Sequence, residues 1–208
     1  KQCPSTFKLE AMDPKYNVTV GEDILIHPAG GEVFVLDHDG TRRAPTLKDC
    51  GELQTLYQYC ENVNIGGFQP LSPMDVPERT KGLYLTYNAM QKCSKPILSP
   101  MELETIEKKE EVLKLFNLVY GSDNYLDDHY LTWHAVCPNS PYLVSEFVCD
   151  GIKVYAEHNQ PIIIVSAPMT GITSPIFLIS TVILSIAEML SCRVYAQVVK
   201  PAVPVVMP

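Results

Sequence analysis

The segment Pro161–Pro168, PIIIVSAP, constrains the fold more than any other stretch. Ile162 to Val165 are β-branched without interruption, so a strand built from them is apolar on both faces and needs cover on both sides. That requirement predicts a parallel sheet with crossover helices. The rest of the chain keeps the same rhythm. Strand-like pieces at 63–68 (VNIGGF), 97–100 (ILSP), 130–138 (YLTWHAVCP), 161–168 and 203–206 (VPVV) alternate with helix-like segments at 47–62, 74–93, 103–121, 141–158 and 174–199. No nucleotide-type glycine fingerprint accompanies them, which points to a barrel rather than a doubly wound sheet. The expectation is an α/β chain: residues 46–208 form part of a TIM barrel, about five βα units, behind a small β-rich N-terminal cap at residues 1–45. In that cap NVTV, DILIHP and EVFVLD read as short strands of one antiparallel unit, separated by glycine turns such as HDG at 38–40.

Local signals place several helix ends. Thr46 is a candidate N-cap for the first helix. The third carries an apolar set, Ile106, Val112, Leu113, Phe116 and Val119, with the charges from Glu107 to Glu111 expected on a solvated face. Gly121 is a natural stop. Helices are expected from Pro141 and from Ser174.

Of the 208 residues, 46% are hydrophobic and 19% charged, ample for a folded core. A formal charge of -8 without a Lys/Arg cluster argues against nucleic acid, and no basic amphipathic segment suits an anionic membrane surface. The oily run at 174–199 is interrupted by Glu188 and Arg193, with Ser180, Thr181 and Ser185 along it, so a buried helix is expected rather than a membrane span. Seven cysteines without a CxxC pair or a secretory signal read as reduced thiols of a cytoplasmic protein. His134 and Cys137 match no zinc spacing, and no metal site is expected. The chain opens at Lys1 and stops inside an apparent strand, which reads as part of a longer polypeptide.

The closing segment GITSPIFLISTVILSIAEMLSCRVYAQVVKPAVPVV resembles the trimethylamine:corrinoid methyltransferase family, which includes glycine betaine methyltransferases. The matching positions are Gly171, Thr173, Pro175, Ala187, Glu188, Gln197, Pro201 and Pro204–Val206. Upstream, CPNSPYLVSEFVCDGIKVYAEHNQPIII and GGFQPLSPMDVPERTKGLYLTYNAMQKCSKP match family segments in the same order. Ile172, Ile179 and Ser180 stand where small residues are usual, and Ala202 replaces a glycine, marking a diverged branch. The resemblance implies a complete TIM barrel roughly twice this long. It also implies methyl transfer from a methylated amine, trimethylamine or a quaternary amine such as glycine betaine, to Co(I). The corrinoid is supplied by a partner protein, with no cofactor bound directly by this chain. Partners are therefore the corrinoid protein and a small methylated amine, and a homo-oligomer stays open. In the trimethylamine enzymes extra activation is attributed to pyrrolysine, which the resemblance places beyond Pro208. A non-catalytic scaffold paralogue and a zinc-dependent corrinoid methyltransferase are the competing readings.

Barrel active sites gather at the C-terminal ends of strands. Candidates there are Gly66, Gly67 and Phe68, then Ser99, then Cys137, Asn139, Ser140 and Tyr142, then Ser166, Met169 and Thr170. Phe68, Asn139, Ser140, Tyr142 and Met169 are the expected substrate-binding set, since a fixed cation is held best over aromatic faces, at about 0.5–2 kcal/mol per ring. Asn139 and Ser140 compete with a second role as N-caps of the next helix. No catalytic residue is assigned. Trp133 and His134 should face opposite sides of their strand, with His134 a core residue. Glu188, a carboxylate in an apolar helix, needs a buried partner from backbone or loop, for a structural role.

Overall fold

In the computed structural model the described residues are 3–22, 24–28, 30–66, 69–101 and 103–208. The β-branched stretch at 161–165 forms β6 (Ile162–Ile164), fully enclosed as its composition requires. It pairs in parallel with β5 (His134–Val136) on one side and β7 (Val205–Val206) on the other. The parallel run extends upstream through single contacts: Ser99 N–H donates to the Trp133 carbonyl (3.1 Å), and Gly66 bridges Ile97. Spatial order thus follows chain order from Gly66 to Val206. The helices that precede and separate these strands are α1 (Leu47–Tyr59), α2 (Lys81–Lys92), α3 (Ile106–Val119), α4 (Glu146–Glu157) and α5 (Leu178–Val199), and each packs on the next. The run is mixed α/β, with a three-stranded parallel sheet, β5-β6-β7, at its C-terminal end.

Alternation along the strands separates two cores. Val136, Ile162 and Ile164 face the helices, packing with Val112, Phe116, Ile152 and Ala196. Leu98, Trp133 and Ile163 face the other way, against Phe7, Leu9 and Val20. Those last three belong to an antiparallel hairpin, β1 (Phe7–Leu9) and β2 (Val18–Val20). The expected single cap is therefore two separate hairpins. The first is core, lining the face of the parallel strands opposite the helices. The second, β3 (Val35–Leu36) with β4 (Arg42–Arg43), turns at Gly40 (φ 85°), and Val35 packs beside α1. Residues 24–28 of DILIHP form no strand.

Thr46 caps α1 as its sequence predicts. Its hydroxyl accepts from the Asp49 N–H (3.3 Å) while the Asp49 carboxylate accepts from the Thr46 N–H (2.8 Å), a reciprocal capping box. Arg43 then clasps Asp49 and Asp37 (2.8 and 2.9 Å), and its guanidinium holds the Asp49 carboxyl well below the usual carboxylate range.

Three sequence expectations for helices are corrected. The charges of α3 are not all solvated: Lys109 has no exposed surface, its ammonium donating to the Leu103 carbonyl (2.7 Å) and lying 4.6 Å over the Phe147 ring. α4 begins at Glu146 rather than Pro141, with Ser145 at the cap position, so Asn139 and Ser140 do not cap it. α5 begins at Leu178 rather than Ser174. It is the helix among the described residues long and apolar enough to cross a membrane by length and composition; the buried helix expected from sequence is buried along one face only, at Thr181, Leu184, Glu188, Cys192 and Ala196, which leaves 22% of its apolar window enclosed.

Candidate functional site

Two loops follow β5 and β6 at the C-terminal ends of the parallel strands, and the longer spacing before α4 and α5 gives them their shape. In the first, Asn139 and Leu143 exchange backbone hydrogen bonds (2.8 and 2.9 Å), closing a tight loop around Pro141. Tyr142 sits at its tip in the left-handed region (φ 55°), and the residue is 70% exposed. In the second, the Met169 carbonyl accepts from the N–H groups of Ile172, Thr173 and Ser174, and Gly171 supplies the positive φ (81°) that the turn requires. Thr181, buried on α5, ties this loop down through Ser174 (2.8 Å) and the Pro175 carbonyl (3.1 Å).

Glu188 joins the two loops. Its carboxylate is 1% exposed and accepts three hydrogen bonds, from Ser140 Oγ (2.8 Å), Ser166 Oγ (2.6 Å) and the Tyr142 N–H (2.9 Å). A buried carboxylate costs several kcal/mol unless its lone pairs are filled, and here the loops fill them. The partner expected from sequence is thus found in the loops. Arg193 takes no part in the described ion pairs. Burial pushes the neighbouring Cys137 thiol up, and the Glu188 charge acts in the same direction.

Of the expected binding set, the structure brings Ser140 and Tyr142 together with Ser166. Met169 lies exposed in the next turn of the second loop, and Asn139 is exposed, holding the first loop by its backbone. Phe68 lies outside the described residues, as does Gly67. Ser99 belongs elsewhere: it is buried under the helices, and its hydroxyl hydrogen-bonds the Tyr155 hydroxyl. Thr170 faces Thr181 (3.3 Å). Trp133 and His134 divide as strand alternation demands. The indole joins the hairpin core, while the imidazole stacks on Tyr155 (4.4 Å, 9°) beneath α4. Sequence reasoning did not foresee that Ser140 and Ser166 share one acceptor; the signal was a charge inside an apolar helix.

No group of three or more His, Cys, Asp or Glu side chains suited to a metal occurs among the described residues. All seven cysteines are free thiols. Around the loops lies a broad apolar surface: Tyr142, Met169, Ile172, Ile176, Phe177 and Leu178 are each more than half exposed. Such a patch marks a surface made to be covered.

The chain is 28% identical over 207 residues to the glycine betaine methyltransferase of Desulfitobacterium hafniense, covering 99% of this chain and 43% of that protein. It is 28% identical over 211 residues to the L-carnitine:corrinoid methyltransferase of Eubacterium limosum (97% and 43%). Identity to a trimethylamine methyltransferase of Methanosarcina barkeri is 26% over 212 residues (98% and 42%). The chain therefore spans less than half the length of these relatives. The family model described as trimethylamine methyltransferase (MTTB) matches residues 1–208, and the chain belongs to that family.

Proposed function

We propose that this chain forms part of a corrinoid-dependent methyltransferase that demethylates a small quaternary or tertiary methylamine, with betaines ahead of trimethylamine. The family match across residues 1–208 carries the reading. The loop pair joined by Glu188 supports it, because it sets an aromatic ring and several neutral polar groups at the strand ends where barrel enzymes hold substrate. We read the parallel run as an arc of a (β/α)8 barrel and the setting as cytoplasmic.

The Co(I) corrinoid enters as a co-substrate on a second protein and supplies the nucleophile. This chain's residues then have binding and orienting work to do. Tyr142 offers an exposed ring face to a methylammonium group, worth up to about 2 kcal/mol once desolvated. Met169 lines the adjacent turn, and the Asn139 side chain is free to meet the polar end of a betaine. A quaternary ammonium leaves as a neutral amine, so no general acid is needed from these loops. The exposed apolar residues around them suit a partner that closes over the site and excludes water.

A calorimetric screen of the full-length gene product against betaines, carnitine and trimethylamine tests this. Binding of at least one methylammonium compound, weakened by Tyr142→Ala, is the expected result. Binding of an unrelated metabolite with none of these compounds would overturn the reading.

A further inference from the structure

Glu188 holds two loops from inside an apolar helix. Its three partners, two hydroxyls and one backbone N–H, are all neutral. It takes part in none of the described ion pairs, which join other residues. Neither loop, 137–145 or 165–177, carries a lysine or arginine. The carboxylate is thus solvated by the protein but not neutralised by it. Buried charges are usually matched by a cation or a metal, and no metal-suited cluster lies among the described residues. The charge reaches beyond its own contacts, since it acts on the Cys137 thiol at the end of β5.

We infer that Glu188 is an electrostatic specificity residue, whose uncompensated charge makes the site formed by the Ser140–Tyr142 and Ser166–Met169 loops select a ligand with a quaternary ammonium over one with a neutral quaternary carbon in its place. The inference rests on the proposed function and adds what that reading leaves open: why the site prefers an ammonium to a tert-butyl group. Aromatic and thioether surfaces accept both shapes. A fixed negative charge on a buried carboxylate discriminates between them without touching either, because the Coulomb term falls only as the inverse of distance. The three hydrogen bonds keep the carboxylate from turning toward solvent, so its field stays aimed at the loops.

The test compares glycine betaine with 3,3-dimethylbutanoate, which differ only in nitrogen against carbon at the trimethyl centre. Both are titrated into the full-length gene product and its Glu188→Gln and Glu188→Asp variants. Glutamine keeps the shape and the Tyr142 hydrogen bond but removes the charge; aspartate keeps the charge but shortens the reach to the loops. The Gln variant is expected to bind glycine betaine ~10-fold more weakly (about 1.4 kcal/mol) and the carbon isostere, an anion relieved of repulsion from Glu188, no more weakly than wild type. The Asp variant is expected to weaken both alike, preserving their ratio. Equal loss of both ligands in the Gln variant would make Glu188 a loop clamp and nothing more, and so would unchanged betaine affinity or a collapsed ratio in the Asp variant. Wild-type protein that binds neither compound, and neither carnitine nor trimethylamine, would instead sink the methylamine reading, and this inference with it; if only carnitine or trimethylamine binds, that compound and its carbon isostere take the place of the pair.

Discussion

His134 shows how a single residue can be settled by its neighbours. It has no exposed surface, neither ring nitrogen has a hydrogen-bond partner among the described residues, and a Cβ placed on Gly151 would come within 2.9 Å of its ring. Burial, helped by the nearby Lys109 charge, holds its pKa down to about 3. Unfolded, it titrates near 6.5. Between these values the unfolded chain binds the extra proton, so stability is full above about pH 6.5 and falls with acidification toward pH 3, by up to about 1.4 kcal/mol per pH unit. His134→Leu should remove that slope and cost no more than about 1 kcal/mol at pH 7, since no hydrogen bond is lost. Denaturant titrations from pH 4 to pH 7 check both points; an unchanged slope in the variant would contradict the assignment. Sequence alternation foretold that His134 and Trp133 would part company, but not which faced the helices. That depended on Gly151, a residue on α4, leaving room for the ring.

At the level of elements, local signals succeeded where one residue's chemistry decides and failed where tertiary partners do. Thr46 was legible because a hydroxyl before an apolar run has few better uses. Replacing it by alanine should cost about 1 kcal/mol, read as a shifted midpoint in urea with an unchanged slope. A loss below a few tenths of a kcal/mol would show that Arg43 alone holds Asp49 in place. The starts of α4 and α5 were misread by several residues for the opposite reason. Pro141 and Ser174 look like first-turn residues, but the chain spends them on loops that Glu188 and Thr181 tie down from α5. Lys109 was misplaced because a run of charges normally marks a wet face. Its ammonium is instead satisfied by the Leu103 carbonyl and the Phe147 ring, which only the packing of α4 on α3 brings near. In the first 45 residues the turns were visible, whereas the destination of the β1–β2 hairpin, beneath Trp133 and Ile163, depends on contacts across the whole chain.

For the molecule as a whole, the order of the parallel strands and the loops at their C-terminal ends follow from apolar strands that alternate with helices. What covers the outer side of α5 does not. Ile179, Val182, Ile183, Ile186, Leu190 and Val194 leave an apolar stripe on it, each 43% exposed or more. A stripe of that size on a free surface drives association, so residues 1–208 produced alone should form polydisperse assemblies in light scattering. The double variant Ile183→Lys/Leu190→Lys should reduce them. A monodisperse wild-type monomer with a cooperative thermal transition would show that the stripe is tolerated in water. The claim on which the rest depends is methyl transfer itself. Incubating the full-length gene product with a reduced corrinoid carrier protein and each of glycine betaine, carnitine and trimethylamine tests it most directly. The account predicts conversion of the Co(I) spectrum to methyl-Co(III) with at least one of them, matched by an equal amount of the demethylated amine. A carrier that stays reduced and unmethylated with all three, in the presence of folded protein, would contradict it.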